Sequence, residues 1–84
     1  MINDCYIRMA DEAERSIAAC MSRVAISPAP SMDRTAGEID MAYKLKLIDY
    51  PRRDALLMQL RTIVNRRREQ LHAERIARLL GVAS

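Results

Sequence analysis

Residues 37–67 read GEIDMAYKLKLIDYPRRDALLMQLRTIVNRR, and this stretch decides the fold. Ala36, Ile39, Tyr43 and Leu47, with Ala42 alongside, recur at threes and fours, the period of a helix with one apolar face. TAGE at 35–38 has the form of a capping box, with Thr35 as the cap and Glu38 reaching back. The pattern then breaks at KLIDYPRR. Asp49 offers another cap, and Pro51 suits a first helical turn, where its missing amide hydrogen costs nothing. Beyond it Leu56, Leu57, Leu60, Ile63 and Val64 fall on one side of a further helix, from near Tyr50 to about 67. Short connections make neighbouring helices antiparallel, so the spacing predicts a helical hairpin over about 35–67.

Working toward the N-terminus, SPAPS at 27–31 must be a break. Pro28 and Pro30 remove amide donors and push the residues before them out of the helical region. This stiff linker lets whatever precedes it turn back on the hairpin. What precedes it is helical over about 3–26. Ile2, Tyr6, Met9, Ala13, Ile17, Cys20 and Val24 make a stripe that Ala10 and Met21 widen. Asn3 or Asp4 can cap its start. Asp4–Arg8, Arg8–Glu12 and Asp11–Arg15 have the spacing of weak surface ion pairs.

Toward the C-terminus the apolar face changes character. Continuing the direction of Leu57, Leu60 and Val64 leads to Arg67, Arg68, Leu71, Arg75 and Arg78. Ala73, Ile76, Ala77 and Leu80 form a new stripe on nearly the opposite side. One straight helix cannot bury both stripes in one small core. Either the chain bends near NRRRE, making residues 70–80 a fourth helix against the first, or these turns extend as an arm toward another molecule. The expected fold is therefore all-α, a three- to four-helix bundle built on the hairpin, in a single domain spanning 1–84.

The bulk properties agree with a small interaction module. A chain of 84 residues forms one domain. It buries little more than roughly 60% of its unfolded surface, so a partner or a second copy is a common source of extra stability. With neither Trp nor Phe, the core must come from aliphatic residues, Met and the three Tyr. The charge is uneven. Arg8, Arg15, Arg23 and Arg34 are outnumbered by carboxylates up to Asp40, whereas Lys44, Lys46 and the later arginines outnumber Asp49, Asp54, Glu69 and Glu74. The halves can neutralise one another by packing, or the second half can present a basic surface to phosphates or to an acidic protein.

The residues offer little to reaction chemistry. Gly37 and Gly81 are the only glycines, so no Gly-rich phosphate loop exists. His72, the one histidine, stands among charged residues, and the pairs Asp11/Glu12 and Glu38/Asp40 lie on ordinary helix surfaces. Cys5 and Cys20 fit no metal motif, and along one helix they stand roughly 22 Å apart, too far for a disulfide. Both read as small buried hydrophobes in a reducing compartment. The N-terminus MINDCYIRMADE has neither the charge layout of a signal peptide nor the length of a membrane span. The expectation is a cytoplasmic non-enzyme without cofactor or metal.

ERIARLLGVAS at 74–84 spells half of a helix-turn-helix, but the chain stops where the recognition helix would start. Gly81 then reads as the C′ residue of a helix, with Val82 free to fold back. In the earlier bend, Lys46 stands where such a turn wants Gly. The motif is rejected.

The hairpin GEIDMAYKLKLIDYPRRDALLMQLRTIVNRR resembles those of small helical accessory proteins of phages and mobile elements, anti-CRISPR proteins and inhibitors of host regulators among them. The resemblance covers a little over a third of the chain and carries no position-specific functional residue. It implies a non-catalytic inhibitor that occupies a surface of a host protein or complex. From the residues themselves, the candidate contact surface is Ile76 and Leu80 flanked by Arg66, Arg67, Arg68, Arg75 and Arg78. An amphipathic helix laid in a groove with arginines gripping carboxylates is a common recognition mode. Self-association through the same stripe is a further outcome. The alternative is nucleic acid held at its phosphates by the arginine row, without aromatic residues beside it for stacking.

Overall fold

The computed structural model describes residues 2–81, with side chains from Asp4 onward. Helix α1 spans Ile2–Ala25, α2 spans Asp33–Lys44 and α3 spans Tyr50–Leu79. Among the described residues there is no strand. The chain is all-α. Because α1 begins at Ile2, Asp4 lies inside the first turn rather than ahead of it. The side chain of Asn3 and the conformation of Val82 lie outside the described residues.

Cross-helix contacts define the directions. Glu14 of α1 pairs with Arg52 of α3, and Arg67 of α3 reaches the carbonyls of Ile26 and Ser27 just beyond α1. Residue numbers rise together along these contacts, so α1 and α3 run parallel. Cys20 and Val24 of α1 lie beside Thr35 of α2, whereas Ala13 and Ile17 lie beside Ala42, so α2 runs the other way between them. Arg53 of α3 returns to Asp40 of α2 across the turn at 45–49.

One core joins the three helices. It contains Ile17 and Met21 from α1, Ile39 and Ala42 from α2, Ile48 from the turn, and Leu56, Leu60 and Val64 from α3. Ala13, Val24, Ala36, Leu47, Leu57 and Ile63 pack half-buried around it. The buried centre of α3 is set by Leu56 rather than Leu57, one position from the periodic reading.

The capping box is not formed. Helix α2 starts two residues earlier, at Asp33, with Met32 at the cap and no side-chain cap bond. Ser31 Oγ instead accepts the amide of Asp33 at 3.2 Å. Thr35 sits inside the first turn and is buried, while Glu38 faces α1 and accepts from Ser16 Oγ and Cys20 Sγ. Burial decides this: Thr35 lies one turn before Ile39 on the core-facing side, so it serves packing better than capping. The second cap does form. Asp49 Oδ1 accepts the amide of Arg52 at 2.9 Å, with Pro51 in the first turn of α3.

Residues 70–80 do not make a fourth helix. They continue α3 without a break at NRRRE, and the helix ends at Leu79 with Gly81 at φ 70°, the left-handed C′ conformation. The amides of Leu80 and Gly81 donate to the carbonyls of Ile76 and Arg78. With its 30 residues α3 is roughly 45 Å long, far longer than the core it crosses. At the other pole α1 overshoots as well, since Cys5, Tyr6, Ile7 and Met9 are exposed while burial in α1 starts at Ile17. The molecule is a short bundle with a helical arm at each end, 62 × 18 × 15 Å overall.

Candidate functional site

The C-terminal arm begins where α3 loses its neighbours. The last tie to the bundle is Arg67, whose Nε donates to the Ser27 carbonyl at 2.8 Å and whose Nη2 donates to the Ile26 carbonyl at 3.4 Å. These carbonyls lie just beyond α1, with no further helical turn to pair with, so the guanidinium closes that end. Of the arginines singled out from sequence, Arg67 is thus engaged inside the molecule. Arg66, Arg68, Arg75 and Arg78 are exposed, and among the described residues none of them forms an ion pair.

The second stripe lies open beside them. Ile76 is 42% exposed and Leu80 73%, with Ala73 also exposed and Ala77 half-buried. Leu71, on the continuation of the core face, is half-buried, and Leu79 is exposed. The arm therefore places Arg68, Arg75, Arg78, Ile76 and Leu80 on one unpartnered helical stretch, with Arg66 just before its start. A helix of about three turns is marginal in water by itself. Here it is held as the extension of a helix the core has already nucleated.

The charge asymmetry is used partly inside the fold. Both interhelical ion pairs among the described residues join a carboxylate of the first half to an arginine of the second. Arg52 meets both oxygens of Glu14 at 2.8 and 2.9 Å, and Arg53 Nε meets Asp40 Oδ1 at 2.9 Å. The hydrogen bonds from Arg52 hold the Glu14 carboxyl below its usual range, against a smaller opposing effect of partial burial. The ion pairs anticipated along α1 are not among the salt bridges the described residues show.

The opposite pole carries residues that sequence reasoning did not single out as a site. Tyr43 and Tyr50 stand edge to face with ring centroids 6.1 Å apart. Arg53 lies over both, its Cζ 5.5 Å from the Tyr43 centroid and 5.9 Å from that of Tyr50. Beside them a cleft of about 620 Å³ opens between the overhanging start of α1 and the 45–49 turn. Tyr6, Tyr43, Lys44 and Lys46 line it over a floor that includes Leu47 and Ile48. Lys46 holds φ 60°, a left-handed conformation in which glycine is the usual residue. The signal available in the sequence was the Tyr-Lys-x-Lys run at 43–46. Tyr6 could not be joined to it without the packing of α1.

The cysteines are both free, and Cys20 is buried as expected. Its Sγ donates to Glu38 Oε2 at 3.1 Å and accepts from Arg23 Nη2 at 3.0 Å. Cys5 is exposed, because it lies on the overshooting part of α1. His72 is exposed on the arm. No group of three or more potential metal ligands occurs among the described residues, and no helix there is long and apolar enough to cross a membrane. Comparison with known protein families, with curated proteins and with solved structures finds no match to this chain.

Proposed function

We propose that this protein is a non-enzymatic helical binding module, a three-helix bundle built on the α2–α3 hairpin, that acts by laying its C-terminal arm on a larger protein. The observation that carries the reading is the arm itself. Helix α3 runs on for about three turns past its last tie at Arg67, with Ile76 and Leu80 in water and exposed arginines on the rest of its surface. An apolar stripe on a rigid helix is a ready anchor for a hydrophobic groove, and the arginines suit an acidic rim around it. The resemblance of the hairpin to phage and mobile-element accessory proteins suggests an inhibitor of a host protein or complex, of anti-CRISPR or anti-regulator type, working in the cytoplasm.

The reading is tested by affinity capture from the native host, with the intact chain compared against Arg75→Glu with Arg78→Glu. A stoichiometric protein complex that survives high salt and is lost in the variant supports it. Binding that collapses steeply with salt, is carried by nucleic acid and is lost in the same variant would replace it with phosphate binding by the arm, since counterion release makes such binding strongly salt-dependent.

A further inference from the structure

We propose that the cleft at the opposite pole binds a nucleotide unit, its base stacked on tyrosine and its phosphate held by Lys44 and Lys46. This site is separate from the arm and does not depend on the reading given to the arm. The chain has three tyrosines and two lysines, and all five gather at this pole. Tyr6 is 48%, Tyr43 38% and Tyr50 59% exposed, so each keeps ring surface for a further flat partner. The volume of the cleft, about 620 Å³, falls within the range of roughly 300–1,000 Å³ common to small-ligand sites.

The platform is also held in place. Arg53 is fixed by Asp40 and lies over Tyr43 and its neighbour Tyr50, so the Tyr43 ring that lines the cleft is oriented before any ligand arrives. Among the lining residues two lysines outnumber one carboxylate, a net charge that suits an anion. The last carbonyls of α2, which would repel a phosphate, already accept amides of the turn: Met41 from Leu45, Tyr43 from Lys46 and Ala42 from Leu47. The carboxylate that lines the cleft, Asp49, keeps its charge, but its Oδ1 is turned to the amide of Arg52 at the start of α3. Lys44 and Lys46 form no salt bridge among the described residues. Stacking on aromatic rings with cations along the backbone is how single strands are held without reading their sequence. An acidic peptide would satisfy the lysines and leave the rings without a flat partner.

The experiment follows the tyrosine ring resonances of the intact chain by NMR during titration with UMP, a thymidine octamer, inorganic phosphate or an octaglutamate peptide. Saturable shifts of Tyr6 and Tyr43 with UMP or the octamer, and none of that size with phosphate alone, are expected. Equal response to both nucleotides identifies a free nucleotide as the ligand, and response to the octamer alone identifies a single strand. Lys44→Gln with Lys46→Gln should weaken binding by about tenfold and, for the octamer, reduce the slope of log affinity against log salt by a little over one. Tyr6→Ala lies outside the core, so its folding is secure, and it should weaken stacking without altering the helical spectrum. The proposal is overturned if neither nucleotide gives saturable shifts. It is equally overturned if octaglutamate alone does, or if binding survives the cleft variants and is lost in Arg75→Gln with Arg78→Gln.

Discussion

At the scale of single residues, Lys46 and Glu14 make opposite kinds of contribution. Lys46 occupies a left-handed conformation in which its Cβ crowds the backbone, and its side chain is exposed. Lys46→Gly should relieve that cost and raise stability by about 1 kcal/mol, some of it offset by the freer unfolded chain. In a thermal melt this is a gain of a few degrees; a lower melting temperature would contradict the strain. Glu14 contributes through ionisation. Its folded-state affinity for protons is depressed by Arg52, so its contribution is present above the unfolded carboxylate pKa. It is lost as pH falls through the lower folded value. Melts of the parent and Glu14→Gln should differ at neutral pH and converge in acid, modestly because both partners are partly exposed to solvent and salt. A gap that widened on acidification would reverse the sign of this coupling.

At the scale of elements, the two ends of α3 should respond differently to mutation. Leu60 is fully buried at the centre of the core, and Leu60→Ala should cost about 2–5 kcal/mol, a large share of the stability of so small a domain. Ile76→Glu with Leu80→Glu, on the arm, should leave the melt nearly unchanged while abolishing the partner complex. Loss of folding in that double variant would show that the stripe is core. The helices themselves were legible because Ile17, Ile39 and Leu60 each belong to a clear run of threes and fours. Asp49, Pro51 and Gly81 marked their ends for local reasons that the fold respects. Thr35 misled, since a polar residue before Glu38 spells a cap whether or not its neighbours bury it. The unbroken course of α3 through NRRRE was equally beyond local reading. Whether a polar turn bends depends on what lies beside it, and there the bundle simply ends. The cleft at the turn was hidden for the same reason, because Tyr6 meets Lys46 only through the parallel course of α1 and α3.

At the scale of the whole molecule, elongation is the property to measure. The Cα radius of gyration is 16.6 Å, whereas a compact domain of this length would have about 12 Å. Small-angle scattering of the monomer should give the larger value, and a value near the smaller one would mean that the arm folds back. The parallel pairing of α1 and α3 has a further consequence, in time rather than space. During synthesis α1 and α2 emerge first and bring together only half of the core. Leu56, Leu60 and Val64 arrive later, and until they do Ile17 and Ile39 lack one wall of their site. The bundle therefore closes in one late step rather than growing helix by helix.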